Sequence, residues 1–365
     1  MSSSSERDAK QDKAAAAKQA SHVALYRKYR PAKFDTVRGQ EHVISVLQGA
    51  LKSGSIPHAF LFAGSRGTGK TTIARIFARE LGADDSDIYE IDAASNRGID
   101  DIRELRDAVH VLPFISKYKV YIIDEVHMLT KEAFNALLKT LEEPPQHVVF
   151  ILATTEMDKL PETVISRCQT FIFKKPTQTQ LREMIVDVSK AEGYKIEPEA
   201  ADLIALLGDG SYRDTHGNLQ KVLQGVEAQS GKGAASAITI ATVESITGAP
   251  RMTLVHSFVA AMSEKNADKA LLALSDAVES GAEIQVFLML VVAKIRSILL
   301  IRVSPSLKAK FAKEMSEDEM KFLESYAKGG VSSDMLAGLL AAQSQMKTMS
   351  SSLPIEVAVM NILKV

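Results

Sequence analysis

Short apolar runs alternate with amphipathic stretches between residues 58 and 173, and this pattern limits the fold more than any other feature. The five runs are Ala59–Phe62, Tyr89–Ile91, Val120–Ile123, Val148–Leu152 and Thr170–Phe173. The stretches between them carry apolar residues at helical spacing, as Ile73, Ile76 and Phe77 do. Strands that alternate with helices form a parallel sheet that is covered on both faces. The sequence therefore predicts an α/β domain over residues 23–176.

The strand signals stop after Pro176, and the apolar spacing is helical from there onward. A Gly/Ser-rich patch at residues 208–218, a loop at 229–235 and a break at Gly248-Ala249-Pro250 divide this region. We expect a small helical domain over residues 177–245 and an all-helical domain over residues 246–365. Residues 1–22 are rich in Ser, Ala and Lys and lack aromatic side chains, so a disordered tail is expected there.

Composition excludes several classes of protein. The chain has 365 residues, a formal net charge of −1 and one cysteine, Cys168, so it can form neither an intrachain disulfide nor a cysteine-based metal site. The N-terminus lacks the apolar core of a signal peptide. The most apolar stretch, at 284–303, is interrupted by Lys294, Arg296 and Arg302, which favours a buried helix over a membrane span. We expect a cytoplasmic protein with no membrane partner.

A glycine-rich segment follows the first apolar run and precedes a helical stretch. It matches the pattern G-x-x-x-x-G-K-[ST], in which backbone N–H groups and a helix N-terminus face phosphates. We expect Lys70 to reach the β- and γ-phosphates and the Thr71 hydroxyl to ligate Mg²⁺. The alternative is a turn that only caps a helix. The nucleotide-binding residues predicted here are Gly64, Ser65, Arg66, Gly67, Thr68, Gly69, Lys70, Thr71 and Thr72.

Two adjacent carboxylates end the apolar run at Val120–Ile123. A buried strand would bring Asp124 beside the phosphates, where it can hold the Mg²⁺, and Glu125 can orient or deprotonate the attacking water. Alone, such a pair can mark a strand that simply reaches solvent. Combined with the glycine-rich segment, it predicts an ATPase or GTPase with Thr71 and Asp124 as metal ligands.

Several further segments carry a resemblance to one family. They are Leu25–Pro31 (LYRKYRP), Phe34, Val37–Glu41 (VRGQE), Glu90–Asn96 (EIDAASN), Ile123–Met128 (IDEVHM), Asn135–Pro145 (NALLKTLEEPP), Leu152–Thr155 (LATT) and Ser166–Cys168 (SRC). Over residues 23 to about 225 the sequence resembles the gamma/tau subunit family of bacterial DNA polymerase III, which are clamp-loader ATPases of the AAA+ class. The related delta-prime subunits share the Ser-Arg-Cys segment but lack a working P-loop.

This resemblance implies an AAA+ P-loop domain, a small helical lid (sensor 2) domain and an all-α collar domain for oligomerisation. It implies a pentamer with delta, delta-prime and further gamma subunits as partners. Such an assembly uses ATP and Mg²⁺ to open a sliding clamp and to load it onto primer–template DNA. ATP is then bound between subunits.

The resemblance also implies roles for single residues. Thr155 matches sensor 1, Arg167 matches an arginine finger that acts on the ATP of a neighbouring subunit, and Arg213 matches sensor 2. A guanidinium at the γ-phosphate would stabilise charge that develops during transfer. The alternatives are a surface ion pair for Arg167 and an exposed loop charge for Arg213.

Other family surfaces match less sharply. The segment that packs around adenine matches Tyr26, Arg30, Pro31 and Val37, for which simple core packing is the alternative. Asn96–Gly98 and the helix after it match the region that faces DNA phosphates, although Asp100 and Asp101 suit solvated helix capping equally well. Val111–Phe114 matches an apolar patch for the clamp, with ordinary packing as the alternative.

Three departures from the family are visible. The four-cysteine zinc module is missing between the P-loop helix and the next strand, so no zinc is expected. Thr215–Asn218 replaces residues that normally continue a helix, and closure of the lid domain is expected to change. The chain stops at Val365, so it resembles the short gamma form rather than tau.

Two other functions remain open. One is a different AAA+ motor, such as a Holliday-junction motor or a replication factor C small subunit, although the Asp-Glu-Val-His-Met segment and Thr at sensor 1 stand against it. The other is a non-enzymatic scaffold in which ATP only stabilises the assembly. Capture of purified clamp tests the first, and steady-state ATP turnover tests the second.

Overall fold

The computed structural model describes residues 23–230, 237–315, 317–346 and 351–364. They form two compact units. One contains the described residues up to Leu181 together with Gly208–Gly217, and the other contains Arg182–Leu207 and the described residues from Asn218 onward. The predicted tail at residues 1–22 lies outside the described residues. The expected division at residues 176 and 245 stays a prediction.

The first unit is built on a five-stranded parallel sheet. Its strands are β1 (Ala59–Ala63), β2 (Ile88–Asp92), β3 (Lys119–Asp124), β4 (Val148–Thr154) and β5 (Gln169–Ile172). The spatial order is β2-β3-β4-β1-β5. The predicted α/β fold and all five predicted strands are confirmed. This order sets the carboxyl ends of β1, β3 and β4 side by side, which is where open parallel sheets bind ligands.

Helices cover both faces of this sheet. In the first unit they are α1 (Leu25–Lys28), α2 (Glu41–Ser53), α3 (Lys70–Glu80), α4 (Ile99–Val109), α5 (Lys131–Glu142) and α6 (Glu162–Ile165). Alternate residues of β1 serve the two faces, as the two-residue period of a strand requires. Phe60 and Phe62 pack with Phe77 of α3 on one face, and Leu61 packs with Leu137 of α5 on the other.

The remaining helices lie mainly in the second unit. They are α7 (Gln178–Ala191), α8 (Pro198–Leu207), α9 (Tyr212–Ser230), α10 (Ile240–Thr247), α11 (Met252–Ser263), α12 (Ala267–Glu279), α13 (Ile284–Val303), α14 (Pro305–Glu314), α15 (Glu317–Ala327), α16 (Ser333–Gln345) and α17 (Leu353–Leu363). Among the described residues of this region, the only β-structure is an isolated bridge between Ile196 and Ile238. This agrees with the helical prediction.

The apolar helix α13 is long and apolar enough to cross a membrane, which is weak evidence because core helices meet the same criterion. It packs against α11, α15 and α16. Phe287, Leu290 and Ile295 are among its buried side chains, and Lys294 pairs with the largely buried Glu319 of α15. This packing agrees with the buried helix that was predicted.

Helix α9 corrects one expectation. The Gly/Ser-rich patch at residues 208–218 was expected to interrupt the helices, but α9 begins within it and runs from Tyr212 to Ser230 through Thr215–Asn218. The Thr215 hydroxyl donates to the Ser211 carbonyl at 2.7 Å, and His216 Nδ1 lies 2.7 Å from the Tyr212 carbonyl oxygen. One interior glycine costs about 1 kcal/mol, which a long packed helix tolerates.

The loop between α4 and β3 is held by a buried carboxylate. Asp87 accepts backbone N–H groups from Phe114, Ile115 and Ser116 at 2.6, 3.0 and 2.8 Å. Burial by itself would raise the pKa of this carboxyl, but the backbone donors outweigh it and lower the pKa to about 2. Asp87 therefore fixes the backbone of this loop at Phe114, Ile115 and Ser116.

We expect Asp87→Asn to lower the free energy of unfolding by about 2 kcal/mol at neutral pH, because an amide leaves buried N–H groups poorly paired. The ordinary carboxyl pKa near 3.8 is depressed in the folded chain, so the wild-type advantage is present above about pH 4 and is lost towards pH 2. Urea unfolding at several pH values measures this difference. Asp85→Asn, at an exposed side chain, is the control; an equal loss in both variants would contradict the prediction.

Candidate nucleotide-binding site

The glycine-rich loop joins β1 to α3 at the carboxyl edge of the sheet. Gly64, Gly67 and Gly69 have φ angles of 152°, 73° and 102°, which residues with a side chain rarely adopt. A Cβ on Gly67 would lie 2.0 Å from Ser211 Oγ, and one on Gly64 would lie 2.6 Å from the Phe173 carbonyl oxygen. Both the backbone turn and the close approach therefore require glycine at these two positions.

Lys70 opens α3 with a buried ammonium group. Its side chain donates to the carbonyl oxygens of Gly64 at 2.7 Å and Ser65 at 3.0 Å, and the residue is 6% exposed. Burial lowers the pKa of Lys70, and Arg213 lowers it further, while the negative charges of Glu125 and Asp124 oppose the shift. The ammonium thus lies between the loop and the two strand-end carboxylates.

The structure brings the two predicted metal ligands together. The Thr71 hydroxyl donates to Asp124 Oδ2 at 2.7 Å, across 53 positions of sequence. The other carboxylate oxygen, Oδ1, accepts the backbone N–H of Glu125 at 3.0 Å. A hydroxyl and a carboxylate at the end of a buried strand supply the oxygen ligands that Mg²⁺ prefers.

Glu125 has a left-handed backbone conformation and a carboxylate that accepts two hydrogen bonds. Its φ angle is 50°, a conformation that is uncommon for residues other than glycine and that recurs at functional sites. Glu125 Oε2 accepts the Thr155 hydroxyl at 3.0 Å and the Thr155 N–H at 3.3 Å. The two residues predicted as catalytic carboxylate and sensor 1 are therefore in direct contact.

A cationic cluster adjoins the loop. The guanidinium of Arg213, in the first turn of α9, lies 5.6 Å from the centre of the Tyr26 ring. Burial lowers the pKa of Arg30, and the charges of Arg75 and Arg213 lower it further, with Glu90 acting in the opposite direction. The cluster is suited to an anionic ligand. Arg213 is exposed but lies on a helix rather than in a loop.

Other predicted adenine contacts are half-buried. Pro31 is partly covered, and Val37 packs against the core on the α2–α3 face. For Val37 this is the arrangement that core packing also requires.

Within the glycine-rich segment, Thr68 is buried and its hydroxyl donates to the Ser65 carbonyl at 2.9 Å, whereas Arg66 is exposed.

Sequence reasoning missed Gln40 as a site residue, although it lies in the family-like segment Val37–Glu41. Its side chain is fully buried and donates to the Lys174 carbonyl at 2.7 Å and the Thr68 carbonyl at 3.4 Å. It also accepts the Lys174 N–H at 3.2 Å. Gln40 therefore ties the glycine-rich loop to the segment after β5. A polar residue before a helix was the only signal in the sequence.

Arg167 lies between α6 and β5. It donates to Glu142 Oε1 at 2.5 Å and to the Thr163 carbonyl at 2.7 Å, and its side chain is one-third exposed. This is the ion pair that the alternative interpretation expects. The arginine-finger role stays a prediction, because it concerns a neighbouring subunit.

The predicted DNA and clamp surfaces are solvent-exposed elements. Asp101 accepts the Gly98 N–H at 3.0 Å and Asp100 pairs with Arg103 at 3.0 Å, which is the solvated capping arrangement. The loop that Asp87 holds exposes its large apolar side chains, so ordinary packing does not account for them. Their exposed fractions are 62% for Val111, 73% for Leu112, 83% for Phe114 and 70% for Ile115.

No cluster of three or more His, Cys, Asp or Glu side chains suited to a metal ion occurs among the described residues. Burial raises the pKa of the Cys168 thiol to about 12. A thiol that stays protonated is a poor metal ligand and a poor nucleophile. The expectation of no zinc stays a prediction.

Comparisons with known proteins point to one family. A family model described as "DNA polymerase III, delta subunit" matches residues 83–177. The chain is 36% identical over 364 residues to DNA polymerase III subunit tau of Bacillus subtilis, covering 94% of this chain and 63% of that protein. It is 36% identical over 325 residues to subunit tau of Escherichia coli, covering 83% of this chain and 49% of that protein.

A third relative and a solved structure extend the comparison. Identity to the gamma/tau subunit of Mycoplasma pneumoniae is 44% over 210 residues, covering 52% of this chain and 31% of that protein. The chain thus spans between about a third and two-thirds of the length of these relatives. A structure of the Thermotoga maritima RuvB Holliday junction branch migration motor matches with a TM-score of 0.52 at 21% identity, covering 82% of this chain and 90% of that one. That likeness shows the fold alone. The chain is therefore a homologue of the tau subunits of bacterial DNA polymerase III over most of its length and of a gamma/tau subunit over about half of it, and it is built on an AAA+ fold.

Proposed function

We propose that this chain is an ATP-hydrolysing motor subunit of a replicative clamp loader. In this proposal it opens a sliding clamp and loads it onto primer–template DNA, in a pentamer with delta, delta-prime and further gamma subunits, in the cytoplasm. The identity to tau and gamma/tau subunits supports the assembly and its partners. The geometry of the glycine-rich loop and the strand-end carboxylates supports the chemistry.

One observation carries the proposal. The Thr71 hydroxyl meets Asp124 at 2.7 Å, directly beside a buried Lys70 and a loop in which glycines turn the backbone. A phosphate chain needs backbone N–H donors and a cation, and Mg²⁺ needs oxygen ligands. The residues present fit both ligands. Bound Mg²⁺ would neutralise charge on the phosphate oxygens.

The chain's own residues then have separate tasks. Residues Gly64–Thr72 and the Lys70 ammonium bind the phosphates, and Thr71 and Asp124 hold the metal. Tyr26, Arg30, Pro31 and Val37 enclose the base, and Arg213 adds positive charge from the first turn of α9. Glu125 orients the attacking water and accepts its proton, while Thr155 holds the Glu125 carboxylate in place.

Assembly completes the site in this proposal. Arg167 acts on the ATP of a neighbouring subunit after it exchanges Glu142 for the γ-phosphate. The exposed ion pair with Glu142 supports this exchange, because such pairs contribute little net stability and are readily replaced. The apolar patch at Val111–Phe114 contacts the clamp, and Asn96–Gly98 faces DNA phosphates. The helical region forms the lid and the oligomerising collar.

Arg167→Ala is the experiment that tests the shared site. In the assembled loader we expect turnover to fall by on the order of a thousandfold, because the developing charge loses its guanidinium partner. ATP affinity of the isolated subunit stays nearly unchanged. Steady-state turnover and binding of a fluorescent ATP analogue measure the two quantities.

The control for this variant is Arg79→Ala, at an exposed arginine of α3 that pairs with Asp85. It should leave turnover and binding unchanged. Loss of nucleotide binding in isolated Arg167→Ala would show that Arg167 acts within its own subunit, and unchanged turnover would exclude the finger role. Turnover by the wild type also separates the motor from a non-enzymatic scaffold.

A further inference from the structure

One buried histidine that sequence reasoning left without a role lies between two carboxylates. His127 Nδ1 is 3.5 Å from Glu125 Oε2, and His127 Nε2 is 3.4 Å from Glu156 Oε1. The histidine side chain is 6% exposed. Each ring nitrogen thus faces a different acid, and one of these acids is the proposed catalytic Glu125.

The position of the ring is set by backbone structure on both sides. His127 lies in the short 3₁₀ turn Val126–Met128, which follows the left-handed Glu125, and the Met128 N–H donates to the Glu125 carbonyl at 2.9 Å. A hydrogen bond of 3.0 Å joins His127 Nδ1 to Thr154 Oγ1, at the end of β4. The ring therefore links the end of β3 to the end of β4.

The link continues beyond the ring. Thr154 Oγ1 also accepts the Glu156 N–H at 3.0 Å, which holds the Glu156 backbone against the same histidine. The Glu156 side chain pairs with Lys159 at 2.7 Å across the 3₁₀ turn Met157–Lys159. That turn leads directly into α6 and, eleven positions after Glu156, to Arg167.

We infer that His127 is a positioning residue that holds the Glu125 carboxylate for water activation and connects it to Glu156, at the start of the segment that carries Arg167. This inference rests on the proposed ATP hydrolysis and extends it. A carboxylate that must orient water needs a fixed direction, and an error of about 1 Å in position can cost on the order of a hundredfold in rate. Thr155 donates to Glu125 Oε2, and the His127 ring lies 3.5 Å from the same carboxylate oxygen.

In this proposal, His127 also lies on the path by which the subunit's own site and its arginine finger influence each other. Any movement of the Glu156 turn must displace the His127 ring or break its contact, because the ring is enclosed between the ends of β3 and β4. Only Leu160 and Pro161 separate the Met157–Lys159 turn from α6, so we expect the same movement to reach α6 and the Arg167 backbone. The orientation of the Glu125 carboxylate and the position of Arg167 are thereby coupled through the His127 side chain.

The test uses the assembled loader with His127→Ala. We expect kcat for ATP to fall by about tenfold to a hundredfold, with KM and ATP affinity changed by no more than about twofold. His127→Asn keeps a polar group near the Nδ1 position but loses the Nε2 contact with Glu156, so it is expected to recover part of the lost kcat. A structural role alone would lower binding, kcat and the thermal midpoint together and would not be rescued selectively.

A double-mutant cycle with Glu156→Ala tests the connection. Glu156→Ala is expected to lower kcat in the wild type and to have little further effect in His127→Ala, because both changes break one link. Additive effects would overturn the connection, and a wild-type kcat in His127→Ala would overturn the positioning role. If His127→Ala does not fold, His127→Asn and Glu156→Ala form the cycle.

The proposed function is checked in the same preparations. Wild-type turnover and its loss in Lys70→Ala test ATP hydrolysis at this site. If the wild type does not hydrolyse ATP, both proposals fail. If it does and the histidine variant is equally active, only the role of His127 fails. Glu132→Ala, an exposed acid in the first turn of α5, is the matched control and should behave as the wild type.

Discussion

Lys70→Ala is expected to weaken ATP binding by about a hundredfold and to abolish turnover and clamp loading. The Lys70 ammonium is buried, donates to two loop carbonyls and lies within the field of Asp124 and Glu125. Loss of a charged hydrogen-bonding group at a phosphate costs about 2–3 kcal/mol, and each 1.4 kcal/mol is about tenfold in affinity. Titration with a fluorescent ATP analogue measures the affinity, and a phosphate-release assay measures turnover.

Removal of Lys70 also leaves Asp124 and Glu125 without their nearby cation. Part of the loss therefore reflects repulsion between these carboxylates and the phosphates. Lys52→Ala, at an exposed position in the last turn of α2, is the matched control and should bind ATP as the wild type does. Unchanged clamp loading by Lys70→Ala would refute the assignment of the phosphate loop.

Glu125→Gln is expected to reduce turnover by about a hundredfold to ten-thousandfold while ATP binding is retained. The amide has the same shape and its oxygen can still accept the Thr155 hydroxyl, so the local structure is preserved. It cannot accept a proton from water. Nucleotide binding and single-turnover hydrolysis of the same preparation separate the two effects.

Glu132→Gln is the control, because this glutamate is exposed and lies in the first turn of α5. The prediction fails if Glu125→Gln hydrolyses ATP at the wild-type rate. It also fails if the variant loses nucleotide binding to the same extent as turnover, since Glu125 would then hold the ligand rather than act on water.

The centre of the sheet could be predicted because its strands β1, β3 and β4 are buried on both faces. Residues in β1 and β4 are all buried, so each strand appears in the sequence as a continuous apolar run between turn signals. The glycine-rich loop was equally visible, since φ angles such as the 102° of Gly69 restrict the residue type. Asp124 and Glu125 were predictable because they end a buried strand at the same edge.

Tertiary contacts with no local pattern could not be predicted. Gln40 and Lys174 are 134 positions apart, and a buried glutamine gives no periodic signal. His127 lies in the family-like segment Ile123–Met128, but Glu156, the second carboxylate beside its ring, follows the end of a different strand, β4. The continuation of α9 through Gly217 was not predicted, because helix propensity does not include the side-chain hydrogen bonds of Thr215 and His216.

Steady-state ATP turnover by this chain, assembled with delta and delta-prime subunits, tests the central claim most directly. The measurement compares turnover with and without clamp and primed DNA, in wild type and in Lys70→Ala. We predict turnover that clamp and primed DNA stimulate and that Lys70→Ala abolishes. Absence of turnover in every assembly, or turnover that survives in Lys70→Ala, would contradict hydrolysis at the pocket formed by the glycine-rich loop, Asp124 and Glu125.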